Sequence, residues 1–206
     1  MENKNFFDPL SLYSNNVEYK EIPTGSYKVE LTKIEGKETQ KGGHYYNLTL
    51  KIVEGDLQKS NIFIMVNDKI NKTGLEGEEF DKKVKAENIG LQVICGLPLV
   101  LASENTTDNK LVSLAKKIAS KTSYHSKDEI IIDVMEENKD LLIGKTFTAY
   151  VTARNNEFNG EVRQQHSLSF GSKTINSAIT KINSLVTFTT ENISNILDDS
   201  IPNFNK

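Results

Sequence analysis

Tryptophan is absent from this 206-residue chain, and cysteine occurs once, as Cys95. A single thiol excludes an intrachain disulfide framework and a thiolate metal cluster, so a reducing compartment fits and the expected location is the cytoplasm. Cys95 lies in the apolar run Ile94-Cys95-Gly96-Leu97, which predicts a buried, inert thiol rather than a nucleophile. Histidine is scarce too. His44, His125 and His166 are far apart, and none stands at a metal-ligand spacing from an acidic residue, so neither metal nor cofactor is expected. No apolar run approaches the roughly 18 residues of a membrane span. The start, Met1-Glu2-Asn3-Lys4, has no apolar stretch behind a basic end, and no signal peptide is expected. Nucleophile, base and orienting acid do not fall into any triad-like grouping, so the chain reads as a binding protein and not an enzyme.

Charge of either sign is present without a large excess. Lys and Arg total 25 against 28 Asp and Glu, a net charge of −3. The acidic excess sits at the ends. Residues 1–24 and 190–206 each carry −2, which leaves 25–189 at +1. A near-neutral body can hold a basic groove on one face, because the local field attracts phosphate whatever the net charge. Arginine is nearly missing: Arg154 and Arg163 are the only two, and both flank one short loop.

Alternation of apolar and polar residues marks strands. After the turn signal Ile22-Pro23-Thr24-Gly25, the residues Tyr27, Val29 and Leu31 share one face and Lys28, Glu30 and Thr32 the other. Gln40-Lys41-Gly42-Gly43 predicts a hairpin turn. The next strand, from about His44 to Glu54, points Tyr46, Leu48, Leu50 and Ile52 one way and Tyr45, Asn47, Thr49 and Lys51 the other. A third, near Asn61–Val66, sets Ile62, Ile64 and Val66 inside and Phe63 and Met65 outside. The pattern then changes. Residues 69–80 read as a charged loop and 82–103 as helix interrupted at Gly96-Leu97-Pro98. Residues 109–121 read as an amphipathic helix, and Ile130-Ile131-Ile132 is ambiguous between helix and strand. Alternation returns in Phe147, Ala149, Val151 and Ala153, followed by a hairpin loop at 155–160 and a strand from Val162 to Phe170. In that last strand Gln164 and His166 fall on the parity of Leu168 and Phe170, which predicts a bulge. Ile175, Ile179, Ile182 and Val186 then suggest one helix, and the chain from about Thr187 is expected to be flexible.

Three strands, a mostly helical stretch and two strands is the order of an OB barrel, in which a helix links strands 3 and 4. The expected fold is therefore mainly β with a helical insertion: a five-stranded OB-type β-barrel with helices between strands 3 and 4. Residues 1–21 would be an N-terminal arm, 22–170 the OB-fold domain with its insertion at 69–143, and 171–206 a helix and acidic C-terminal tail.

The segments Ile22-Pro-Thr-Gly-Ser-Tyr-Lys-Val-Glu-Leu and Lys41-Gly-Gly-His-Tyr-Tyr-Asn-Leu-Thr-Leu-Lys-Ile-Val-Glu-Gly resemble a family of small bacteriophage proteins with a domain of unknown function. Leu142-Ile-Gly-Lys-Thr-Phe-Thr-Ala-Tyr-Val-Thr-Ala-Arg, Asn159-Gly160 and Val162 are similar to that family's closing hairpin. The understood members are phage single-stranded-DNA-binding proteins of OB type. The resemblance implies binding of single-stranded DNA without strong sequence preference, protecting it during DNA replication or recombination in the host bacterial cytoplasm. Separately, Leu197-Asp-Asp-Ser-Ile-Pro-Asn-Phe resembles the acidic tip of bacterial single-stranded-DNA-binding proteins, which docks replication and recombination partners. That would give Asp198, Asp199, Ile201, Pro202 and Phe204 a partner-binding role. Here Asn203 separates Pro202 from Phe204, and Asn205-Lys206 displace the terminal carboxylate.

Sequence-tolerant binding of a single strand needs flat rings for bases and cations for phosphates. On the outer strand positions Tyr45, Phe63 and Tyr150 are the candidate rings and Lys51, Arg154 and Arg163 the candidate phosphate contacts; the turns and their edges add Lys41, His44 and Phe158. The alternative for each ring is cover for the insertion or for a homo-oligomer interface, and for the arginines a cross-strand surface pair. An interaction module recruiting a replication or virion partner is the rival function. A nuclease would need a carboxylate cluster, for which Glu76, Glu78, Glu79 and Asp81 are the only dense group. Asp128-Glu129 and Glu136-Glu137 read as solvated helix faces, and Tyr124-His125 as surface.

Overall fold

The computed structural model describes residues 21–120, 123–158 and 161–185. Its strands are β1 (Gly25–Glu38), β2 (His44–Ile52), β3 (Asn61–Lys69), β4 (Thr146–Phe158) and β5 (Glu161–Leu168). Between β3 and β4 lie α1 (Gly77–Glu104), α2 (Asn109–Ala119), α3 (Lys127–Ile132), a π-helical turn at Asp133–Glu137 and α4 (Lys139–Leu142); α5 (Ser172–Ser184) follows β5. Of the described residues 42% are helical and 32% are in strands, so helix outweighs strand there and the expectation of a mainly β chain is corrected. The reason is α1: the interruption expected at Gly96-Leu97-Pro98 does not occur, and one helix of 28 residues runs through it. Pro98 and its neighbours Leu97 and Leu99 are all buried, so tertiary packing outweighs the amide bond that proline removes.

The five strands form one mixed sheet in the order β1-β2-β3-β5-β4, and β4 pairs back onto β1, so the sheet closes on itself. All neighbours are antiparallel except β3 and β5, which meet in parallel at Ile64 and His166. The β1–β2 turn closes with the Thr39 amide on the Gly43 carbonyl at 2.8 Å, and Gly42 takes the positive φ of +74° that the turn requires.

The inward parity of the strands supplies the core: Val29, Leu31, Leu48, Leu50, Ile52, Ile62, Ile64, Phe147 and Val151 are all buried. The helices add Val93, Ile94, Leu97, Leu101, Leu111, Val134 and Met135 to the same cluster. Helix α1 meets β3 so closely that a Cβ on Gly90 would stand 1.8 Å from the Asn67 carbonyl oxygen. Helix α1 contains an 18-residue window of mean hydropathy 1.4, long and apolar enough by length and composition to cross a membrane. Of that window 56% is buried, because its apolar side faces the sheet, α2 and α5.

The bulge expected in the last strand is not there. Strands β4 and β5 pair without a shift from Val151–Leu168 to Phe158–Glu161. Gln164 and His166 point inward because they hold the backbone of Ile22: the Ile22 amide donates to Gln164 Oε1 at 3.0 Å, and His166 Nε2 lies 3.2 Å from its carbonyl oxygen. Register shifts occur instead between Leu31 and Lys33 and between His44 and Tyr45.

Buried charge in the helical block is compensated. Glu87 accepts from the Ile70 amide at 3.0 Å and pairs with Lys72 at 2.8 Å and Lys127 at 3.4 Å. Burial pushes its carboxyl up, but the Lys72 and Ile70 hydrogen bonds and the two lysine charges outweigh it and hold the group below its ordinary value. Asp133 pairs with Lys117 at 2.9 Å and accepts from the Tyr124 hydroxyl. Tyr124 is therefore half-buried under Lys117, not the surface residue its polar surroundings predicted. Its phenol is raised by burial and then by Asp133. Cys95 is half-buried, and burial raises its thiol.

Candidate functional site

Strand register decides which outward side chains meet. On β1, β2 and β3 the pairs Lys33–Thr49–Phe63 and Glu35–Asn47–Met65 cross the sheet as rows, and Glu30–Lys51–Asn61 makes a third. On the other side, Arg154 pairs with Gln165 and Asn156 with Arg163. The parallel match of Ile64 with His166 joins the two halves, because one step along each strand brings outward Phe63 beside outward Gln165. One open face thus carries Lys51 and Phe63 on β2 and β3, and Arg154 and Arg163 on β4 and β5.

Phe63 is 60% exposed and Met65 48%, in the middle of a polar face. The four residues Arg154, Asn156, Arg163 and Gln165 form a cell. Asn156 Nδ2 donates to Gln165 Oε1 at 2.5 Å along one diagonal, and the two arginines occupy the other. Glu35 is engaged by Lys33 at 2.7 Å and Lys37 at 3.9 Å, and the Lys33 hydrogen bond holds its carboxyl below the ordinary value. Among the described residues Lys51 and Arg154 have no carboxylate partner, so their charge is available to a ligand.

The remaining candidates are dispersed. Lys41 is exposed in the β1–β2 turn, where its carbonyl accepts from Asn71. Tyr45 is outward but half-buried, paired with Lys37 and Asn67. His44 is not on the outer face. It shares the parity of Tyr46, and its Nδ1 lies 2.8 Å from Asp68 Oδ1, with its ring edge-on to Tyr46 at 4.8 Å. Strand β2 begins at His44, as the alternation predicted, so His44 is a strand residue of inward parity and not a contact offered by the turn. Tyr46 in turn donates to Glu136 at 3.1 Å; burial and that carboxylate raise its phenol. Tyr150 is 51% exposed on the outer side of β4, but it opens onto a cavity against α1 and α5 rather than onto the Phe63 face. Phe158 ends β4 beside the β4–β5 loop. Asp198, Asp199, Ile201, Pro202 and Phe204 lie outside the described residues.

Met65, Asn156 and Gln165 belong to the face and were missed as site residues; strict alternation from Phe63, Arg154 and Arg163 is the signal that finds them. Glu76, Glu78, Glu79 and Asp81 sit at the start of α1, where negative charge complements the helix N-terminus and Glu78 pairs with Lys82 at 2.7 Å. Among the described residues no group of three or more His, Cys, Asp or Glu side chains could hold a metal ion.

Residues 11–122 match the model of the family described as "Protein of unknown function (DUF669)"; that is more than half of the chain, and the chain belongs to this family. No curated protein matches it.

Proposed function

We propose that this chain binds single-stranded DNA, without strong sequence preference, across the outer faces of β2, β3, β5 and β4, and protects it during DNA replication or recombination in a phage-infected cell. The observation that carries the reading is the exposed Phe63–Met65 pair within reach of Lys51, Arg154 and Arg163. Two large apolar side chains exposed next to each other on an outer sheet face are a feature that binding surfaces share. A ring there can take a base of any identity, and the cations around it can meet the phosphates on either side. The strand order 1-2-3-5-4, closed through β4 and β1 with helices between β3 and β4, supports an OB-type barrel, whose strand 2–3 face and flanking loops are its usual nucleic-acid surface. Lys41 in the β1–β2 turn and Phe158 beside the β4–β5 loop sit at those two flanks. In this reading the chain is a binding protein and not an enzyme.

Fluorescence anisotropy of labelled oligo-dT, compared with duplex of the same length at low and moderate salt, tests it. Tight, salt-sensitive binding of the single strand over the duplex is expected; no binding at low salt refutes it. Met65 beside Phe63 favours one second reading, a module that recruits a replication or virion partner, because thioether side chains adapt to protein surfaces. In that case replacing both arginines by alanine would leave partner binding intact and there would be no DNA binding to lose.

A further inference from the structure

We propose that the single-strand path does not end at the arginines but continues along β4 into a second nucleotide subsite, the groove of about 720 Å³ between β4, the C-terminal part of α1 and α5. This rests on the reading of the outer face as a single-strand surface. Alternation along β4 puts Thr148, Tyr150, Thr152 and Arg154 on one outward line, so the groove is the direct continuation of the arginine cell. Tyr150 is half-exposed in the groove although a concavity surrounds it, which leaves a ring face open for a base. Phe170 lies behind it as an apolar floor, anchored on buried Phe147 with ring centroids 6.3 Å apart.

The opposite wall is α5, which brings Lys181 to the groove with no carboxylate partner among the described residues. The one carboxylate in the lining, Glu104, is already engaged. Lys28 meets it at 2.5 Å, and the Thr148 amide donates to it at 2.8 Å, so it presents little repulsion to a phosphate. Ring, cation and neutral hydroxyls are the set that holds a nucleotide through its base and its phosphate without reading its identity.

The test uses the full chain and oligo-dT of two lengths, about 4 and about 16 nucleotides, the ends of the usual range for one fold of this kind. The short oligomer can fill only one subsite; the long one can reach both. Tyr150→Ala with Lys181→Glu is expected to reduce the ratio of long to short affinity about tenfold or more, whereas Phe63→Ala weakens both lengths. Because the chain has no tryptophan, Tyr150→Trp provides a single indole whose emission should be quenched by the long oligomer. An unchanged affinity ratio in the double variant, together with an unquenched indole, overturns the second subsite and leaves the first standing. Failure of the unaltered chain to bind either oligomer overturns both.

Discussion

Removing the two arginines together, as Arg154→Ala with Arg163→Ala, isolates the electrostatic part of the proposed interface. A protein that neutralises phosphates on a single strand loses affinity with salt at a slope of about −0.7 per phosphate. Lys51, Arg154 and Arg163 give at least three contacts on the open face, hence a slope of about −2. Without the arginines the slope should become shallower by about 1.4, whatever further lysines take part. For these three contacts alone, a fourfold rise in salt should weaken the native chain about twentyfold and the double variant only about threefold. Both side chains are exposed and outward, so the fold should lose no more than about 0.5 kcal/mol at Arg154, with the contact that Arg163 makes within the protein added to that. Anisotropy titrations against oligo-dT across a salt series give the slope, and a thermal melt gives the fold. A double lysine variant should keep the slope while losing the planar, bidentate and stacking contacts of guanidinium. An unchanged slope in a folded alanine double variant would refute the assignment of this hairpin to the phosphate path.

Phe63→Ala should cost about 1–3 kcal/mol of single-strand affinity, read by the same titration, with an unchanged melting temperature because the ring is mostly outside the core. Equal affinity would remove the stacking role. Gly90→Ala should destabilise the fold: the 1.8 Å approach to a backbone oxygen cannot be relieved by a rotamer, so overpacking of about 3 kcal/mol outweighs a helix-propensity gain of up to about 1 kcal/mol. The net of about 2 kcal/mol lowers the Tm by roughly 4–8 °C, and an unchanged or raised Tm contradicts the close α1–β3 packing. Glu87, whose folded carboxyl lies below its ordinary value near 4.5, contributes stability that is present above that value and lost as pH falls through the lower folded one. The difference in Tm between the native chain and Glu87→Gln should therefore shrink as pH drops below about 4.5; a constant difference counts against the Lys72–Glu87–Lys127 arrangement.

Legibility followed the range of the interactions. Period-two alternation marked the inward faces of β1 to β4, since burial of Leu48, Leu50, Ile62, Ile64 and Val151 is decided by neighbours in the same strand. The outward Phe63 and Met65 came from the same signal. Its failure in β5 has a long-range cause. Gln164 and His166 look misplaced until Ile22, more than 140 residues earlier, is seen between them. Pro98 and Tyr124 misled for the same reason, because buried partners elsewhere in the chain decide each. For the site, the outward faces of Phe63, Tyr150, Arg154 and Arg163 were readable and that of His44 was not; nor was the grouping, since Tyr150 and Phe63 are both outward aromatics and only the parallel β3–β5 match puts Phe63 beside the arginine hairpin.

The long insertion explains why part of the outer face stays open. Helix α1 crosses β3 at the Gly90–Asn67 contact, and Asn67 is half-buried there. Earlier in the same strand, Asn61, Phe63 and Met65 remain exposed. A bulkier residue than glycine at the crossing would have to slide the helix along or away from the strand. The ion pairs of Glu87 with Lys72 and Lys127 resist this, tying the same segment of α1 to the chain that leaves β3 and to the start of α3. The helical block is thereby fixed at the Asn67 end of the strand, and Phe63 keeps an uncovered ring. A variant that slides α1 along β3 toward Phe63, as Gly90→Ala is expected to do, should weaken single-strand binding by covering the ring as well as by lowering stability. Binding measured well below the melting temperature separates the two effects.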